Sequence, residues 1–377
     1  MNDVRVVSII PYKILPARLG GEKGIAVFNE YVGQLIPITA ISTRNNDVSA
    51  AKNYTVLNRL ANSRIRYFNI FLYFTLRKLI RQQKATHLLI EHPYYGWLAW
   101  LLKKTMDITW VVHSHNIEFE RSRSIGRWWW KALKWYEQWV YKCSDINFFI
   151  SDDDRINAIT NLGIKKEKSF TITYGIEIPG IPNDIEQCKQ QIRKTYGIGA
   201  NEKIFLFNGT LFLHSNYNAL QVILDTINPV LLNQTDFKYK ILVCGKGLPV
   251  FFNELKEYRD RNIIYAGFVD DISVYFKAAD IFLNTVMSGG GVKTKAIEAI
   301  AYNCSVISTQ NGAIGLVKEI CGDKLAIVAD NDWDSYTAAL LSMINQSTKT
   351  TAEFYKYYYW GNIAKKVEAI LMKKPQN

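Results

Sequence analysis

The sequence contains no run of about 18 apolar residues, so it predicts no membrane-spanning helix. The apolar part of residues 4–10 is too short, and the residues after it are too polar, for a secretory signal. It reads instead as a first buried strand. Cysteine is scarce. The five present (Cys143, Cys188, Cys244, Cys304, Cys321) are odd in number, scattered, and without the pair spacing of a metal site. A disulfide framework is thereby excluded, and reduced thiols in the cytoplasm are expected. Acid is also in short supply, with 34 Asp and Glu against 46 Lys and Arg and a formal charge of +12. Such an excess asks for an anionic partner: nucleic acid, anionic lipid or a phosphorylated substrate. Against these shortages stands a 48% hydrophobic content over 377 residues, enough for a sizeable core and for two domains.

The chain is organised around residues 279–301. Ala279, Asp280, Ile281, Phe282, Leu283 and Asn284 read as a strand. Gly289, Gly290 and Gly291 interrupt it, and Val292, Ala296, Ile297 and Ile300 then recur at helical spacing. Strand, glycine loop and helix together suit a phosphate, because glycine lets an anion approach the backbone and a helix start offers N–H groups and a positive dipole end. Lys293 and Lys295 add positive charge beside the loop. Glu298, one to two turns into the helix, can accept hydrogen bonds from sugar hydroxyls. The plain alternative is a glycine-rich turn that only joins two packed elements. A further buried strand at 305–309 and the turn Asn311, Gly312, Ala313, Ile314, Gly315, Leu316 come next.

The first half shows the same alternation. Residues 4–10 form a strand, and 11–24 a loop with Gly20, Gly21 and Gly24 near its end. A helix is then predicted from Ile25, Phe28, Asn29, Val32 and Leu35. A ligand contact and an ordinary βα turn are both open here. Residues 65–81 read as an amphipathic helix with Ile65, Phe68, Phe71, Leu72, Leu76 and Leu79 on its apolar side. Residues 87–91 are a strand. Thr109 to Asn116 is a strand ending in His113, Ser114, His115 and Asn116, and open α/β sheets collect ligands at such carboxyl ends. Metal binding by the two histidines gains no support from further ligands spaced nearby.

From Arg121 to Lys142 the chain holds five of its ten tryptophans, with Arg121, Arg123, Arg127, Lys131, Lys134 and Lys142 against the single acid Glu137. It reads as a loop and then a helix. Tryptophan with positive charge suits an anionic membrane surface. A core-facing helix with a solvated basic side is the alternative. Aromatic–basic interleaving also suits nucleic acid, but no recognition motif accompanies it, so no nucleic-acid partner is expected. Pro179, Gly180, Pro182 and Asn183 mark a domain boundary. Beyond it, strands at 203–207, 240–244 and 262–266 alternate with glycine turns and helices.

The run SGGGVKTKAIEAIAYNCSVISTQNGAIGL, residues 288–316, resembles the nucleotide-sugar signature of family-4 retaining glycosyltransferases. The resemblance extends over most of the chain and is strongest from Phe205 to Leu316. It implies an α/β architecture of the GT-B type: two Rossmann-like domains facing across a cleft, 1–180 on the acceptor side and 181–359 binding the nucleotide-sugar. A closing helix, 360–377, would cross back to the first domain. It implies that Gly289, Gly290, Gly291, Val292, Lys293 and Lys295 hold the donor diphosphate and that Glu298 holds the ribose. Gly20 and Gly21 would face the phosphates, the backbone of Phe268 and Val269 would hold the base, and His115 rather than His113 would lie near the sugar. Two departures stand out. Gly290 occupies the place of a second glutamate common in the family. The basic pair usual after the turn at Asn208, Gly209 and Thr210 is absent, which leaves the phosphates to Lys293, Lys295 or Lys246.

The expected activity is transfer of a sugar from a nucleotide-sugar to a hydroxyl acceptor, with retention and without a metal. Assembly of polysaccharide or lipopolysaccharide on a lipid-linked acceptor is the favoured setting, with the protein cytoplasmic or peripheral on the membrane. A sugar-nucleotide epimerase of similar fold, or a non-catalytic membrane-associated binder of nucleotide-sugars, would carry the same signature.

Overall fold

The computed structural model describes residues 3–17, 20–289 and 291–373. The chain divides into two compact units, Met1–Glu177 with Tyr358–Asn377, and Ile178–Tyr357. The first break falls just ahead of the cluster that begins at Pro179.

The first unit is built on a sheet of β1 (Val6–Ile9), β2 (Ile38–Thr43), β3 (Thr55–Leu60), β4 (His87–Glu91), β5 (Thr109–Ser114), β6 (Ile146–Phe149) and β7 (Ser169–Thr171). Their order is β3-β2-β1-β4-β5-β6-β7, and every neighbouring pair is parallel. Parallel strands need crossovers that cover both faces, so the strands are apolar and buried nearly throughout. One face buries Val7, Ile9, Leu88, Ile90, Trp110 and Val112 against helix residues such as Leu76, Leu98, Leu102, Val140 and Tyr141.

The second unit repeats this order with β8 (Glu202–Asn208), β9 (Lys238–Cys244), β10 (Ile263–Gly267), β11 (Ile281–Asn284), β12 (Ser305–Thr309) and β13 (Leu325–Val328). They run β10-β9-β8-β11-β12-β13, again all parallel. In both sheets the order reverses beside the first strand, between β1 and β4 and between β8 and β11. Ligands of open α/β sheets bind outside the carboxyl ends of strands at such switch points.

The chain re-enters the first unit at Tyr358, whose carbonyl accepts the N–H of Ile176 at 2.7 Å, while Trp360 N–H donates to the Ile176 carbonyl at 2.9 Å. The helix Trp360–Leu371 then packs on the helix Gly20–Gly33, with Phe28 edge-on to Trp360 at 6.5 Å. Only glycine fits at 175, since a Cβ there would stand 2.5 Å from the Trp360 ring.

Three local expectations need correction. Gly20, Gly21 and Gly24 belong to the helix Gly20–Gly33 and not to a loop before it. Residues 65–81 do not form one helix. A 3₁₀ turn, Arg64–Phe68, is followed by a helix, Leu72–Gln83; between them the backbone leaves helical geometry at Asn69, whose Oδ1 accepts the Phe71 N–H. The basic stretch begins in a short helix, Glu118–Ser124, and only its second helix, Trp130–Cys143, falls where a helix was expected. Trp128 and Trp135 are exposed, while Trp130 and Trp139 are half-buried against the core. Glu137 is fully buried and accepts the N–H groups of Glu118 and Phe119 at 3.0 and 2.7 Å. Burial pushes its carboxyl up to about 8.

Candidate functional site

Each sheet brings polar side chains to its switch point. In the second unit, β11 runs into the loop that holds the glycines, and the helix Thr294–Ala301 comes after it. Ala296, Ile297 and Ile300 bury one face of that helix, as their spacing predicts. Gly291 has φ of +80°, where side chains are strained. Val292 packs onto Gly315, where a Cβ would stand 2.4 Å from its Cγ2, so the turn at 311–316 is fitted to the glycine loop.

This geometry encloses a pocket of about 240 Å³. Asn208 from the end of β8, Asn284 from the end of β11, and Gly289, Val292, Lys293 and Lys295 line it, with Ser215 and Asn216 from the start of the helix His214–Val222. Lys295 Nζ donates to the Asn208 carbonyl at 2.9 Å, and Lys293 Nζ to the Gly289 carbonyl at 2.6 Å. Burial holds both ammonium groups down to about 8; at Lys295 the Glu298 carboxylate pulls the other way. The N–H groups of Lys293, Thr294 and Ala296 are already taken by the carbonyls of Ile314, Val292 and Lys293. Attraction for an anion thus comes from two partly desolvated ammonium groups and the helix dipole, more than from a ring of unused N–H donors.

Glu298 lies one turn beyond Lys295 on the same helix, half-buried and outside the pocket lining. Lys246 and Phe268 meet near the ends of β9 and β10, with Nζ 6.0 Å from the ring centre, and Val269 is next in the chain. None of these three lines the pocket. Gly290 lies outside the described residues. The sequence reading missed Asn208, Ser215 and Asn216. Their signal was a cluster of small polar residues just beyond a strand.

In the first unit, Gly20 and Gly21 open the helix after β1 and are exposed. The chemistry gathers at β4 and β5. Glu91 ends β4 and has no exposed surface. Its Oε2 accepts from His115 Nε2 at 2.6 Å and stands 3.0 Å from His113 Nδ1. Its Oε1 has no hydrogen-bond partner among the described residues. Burial pushes this carboxyl up, but the two imidazoles outweigh it and hold it at about 2. Burial pushes both histidines down. A carboxylate only accepts, so the proton of the short contact sits on His115 Nε2, and its Nδ1 is the acceptor nitrogen.

His92 comes next, at φ +66° and ψ 157°, a region open essentially to glycine alone and costing about 1–3 kcal/mol. It is held by Tyr12 Oη at 2.8 Å from Nε2, by Glu118 at 3.3 Å from Nδ1, and by stacking on Tyr94. The strained residue is thus fixed from three sides within 4.8 Å, ring to ring, of His115. The sequence reading picked out His113 and His115 but missed Glu91, His92, Tyr12 and Glu118. The pairing of Glu91 with His113 exists only through the register of β4 on β5.

Glu91, His113 and His115 are metal-ligating types with their atoms within 4.8 Å of one another. Ligands of a tetrahedral zinc, each about 2.0–2.1 Å from the ion, stand roughly 3.3 Å apart. The Glu91–His115 separation of 2.6 Å is that of a shared proton.

Two parallel doubly wound sheets, each with polar groups at its switch point, are the architecture of the GT-B fold. Residues 36–178 match the model of "Glycosyltransferase Family 4" and residues 202–346 that of "Glycosyl transferases group 1". The chain belongs to glycosyltransferase family 4. It is 20% identical over 317 residues, 78% of this chain and 73% of the relative, to D-inositol 3-phosphate glycosyltransferase of Corynebacterium urealyticum. It is 27% identical over 271 residues, 68% of this chain and 65% of the relative, to an uncharacterized protein of the cps region of Klebsiella pneumoniae. Among solved structures, Anabaena HepE in complex with UDP aligns with TM-score 0.72 at 12% identity, covering 98% of this chain and 99% of that one. The lipopolysaccharide outer core galactosyltransferase WaaB aligns with TM-score 0.66 at 13% identity, covering 96% and 98%.

Proposed function

We propose that this glycosyltransferase moves a sugar from a nucleotide-sugar to a hydroxyl acceptor with retention of configuration, in the assembly of cell-surface polysaccharide or lipopolysaccharide. The observation that carries the reading is the pocket at the β8–β11 switch point, where Lys293 and Lys295 converge beside the start of the helix Thr294–Ala301. As the bond to the sugar breaks, negative charge grows on the departing diphosphate, and fixed cations in a partly dry pocket stabilise that charge. Glu298 holds the ribose, the backbone of Phe268 and Val269 holds the base, and Lys246, beside Phe268, is a further cation for the phosphates. His115, aimed by Glu91, positions the donor sugar or the acceptor hydroxyl through Nδ1. The reading assigns no covalent nucleophile and no metal.

The solved structures of HepE with UDP and with UDP-glucose, and the lipopolysaccharide enzyme WaaB, supply the analogy for donor and pathway. The basic, tryptophan-rich stretch from Arg121 to Lys142 suits the face of an anionic membrane, which would bring the protein to a lipid-linked acceptor. A panel of UDP-, GDP- and ADP-sugars tests the reading. Release of nucleoside diphosphate from one donor, raised by an acceptor, with the donor's anomeric configuration kept in the product, is the expected result. Conversion of the donor sugar without acceptor would instead mark an epimerase, and no turnover of any donor would mark a binder.

A further inference from the structure

Residues 48–90 contain eight basic residues and no acidic one. Within them lies an apolar patch that none of the described residues covers. Ile65 is 73% exposed, Phe68 84%, Ile70 58%, Phe71 73% and Phe74 65%. Single exposed apolar residues need no explanation, but five large ones within ten positions do.

The segment is firmly held from beneath. The Arg66 guanidinium donates to the carbonyls of Pro11, Asn62 and Ser63 at 2.7 to 2.9 Å. The Tyr67 carbonyl accepts from the Trp97 indole at 3.1 Å. Its outward side chains are therefore presented by a fixed backbone. Ile65 and Phe68 are three apart in a 3₁₀ turn and share one side. The helix Leu72–Gln83 buries Leu72, Leu76, Leu79 and Ile80, which turns Phe74, Lys78 and Arg81 to the opposite face. Arg64, Lys78, Arg81 and Lys84 of the same segment are exposed as well, and Lys78 and Arg81 share the outward face of the helix with Phe74.

We infer that this patch is a membrane-insertion surface, with the phenylalanines entering the headgroup–acyl boundary of an anionic bilayer and the basic residues paired with lipid phosphates. Exposed apolar side chains in a segment whose charges are all positive complement that boundary on both counts. A second copy of this chain fits poorly, because an equally basic segment would face the first. The helix Gly96–Thr105 packs against both the helix Leu72–Gln83 and the helix Trp130–Cys143. The helix of the patch and the basic tryptophan-rich helix therefore flank one helix over a shared core. The inference deepens the membrane reading of the proposed function, by adding insertion to electrostatic attraction, and is independent of sugar transfer.

The test is sedimentation of the full chain with phosphatidylcholine vesicles, with and without phosphatidylglycerol, at low and high salt. Wild type is expected to bind the anionic vesicles and to keep a salt-resistant fraction. The F68S/F71S/F74S variant should lose at least tenfold in vesicle affinity and all of that fraction, while still binding UDP as wild type does. Glutamine at Arg121, Arg123, Arg127, Lys131 and Lys134 should remove only salt-sensitive binding. No vesicle binding by wild type, or equal binding by the serine variant, overturns the inference. So does a wild-type dimer that becomes monomeric in the serine variant, which would assign the patch to a second copy. Loss in the serine variant but not in the glutamine variant would leave the patch standing and remove the role given to Arg121–Lys134.

Discussion

Glu298 stands on a helix that Lys293 and Lys295 begin, and its carboxylate is felt at Lys295. Replacing it with glutamine keeps size and shape and removes charge. A hydrogen bond to a charged group contributes roughly 1.5–3 kcal/mol, so donor affinity should fall about tenfold or more with no loss of fold. Calorimetry with the preferred donor measures this, and unchanged affinity would remove Glu298 from the ribose site. Glu91 acts at one remove. It touches His115 and not the reactants, so it is a positioning residue. Glutamine in its place can donate as well as accept, and it no longer fixes the His115 proton on Nε2. Glu91→Gln should lower kcat by about tenfold or more, within the range of lost orienting partners, with donor KM little changed and the pH profile of kcat displaced. A proportional rise in KM, with kcat and the pH profile unmoved, would make Glu91 a packing residue only.

At the scale of elements, periodicity was a good guide where a face is buried and a poor one where it is bare. Ala296, Ile297 and Ile300 repeat at helical spacing and are inside. Ile65, Phe68 and Phe71 repeat at the same spacing and are outside, because the pattern records which residues are apolar and not what covers them. The break at Asn69 comes from its own side chain bonding to the backbone two residues on, a local competitor that amphipathic spacing does not register. Gly20 and Gly21 read as loop because glycine is a weak helix former. Their place in a helix comes from tertiary packing of the face that carries Ile25, Phe28 and Val32. Glu91 was invisible for another reason. An acid at the end of an apolar strand looks like a solvated terminus until the neighbouring strand brings two histidines to it.

On the whole-molecule scale, the alternation of strand and helix was legible and its strand order was not. Neighbours such as β1 with β4, or β8 with β11, are separated by long crossovers, and no local pattern specifies them. The pocket at the β8–β11 switch point gives the account its most direct test, because the signs of its charges make a prediction. Lys293 and Lys295 are held at about 8 by burial, well below the ordinary lysine value of about 10.4. A bound diphosphate favours their charged forms and raises both values. Binding near pH 8 must then take up protons. At lower pH the uptake fades because both lysines are already charged, and affinity falls as pH rises above 8. The measurement is titration calorimetry of UDP in buffers of different ionisation enthalpy, from about pH 6.5, where both lysines are charged, to about pH 9. The account predicts net proton uptake that is small at about pH 6.5, grows through about pH 8, is greatest above about pH 8, and vanishes in the Lys293→Met/Lys295→Met variant along with most of the affinity. UDP binding with no proton uptake across that range, and with equal affinity in the double variant, would contradict it.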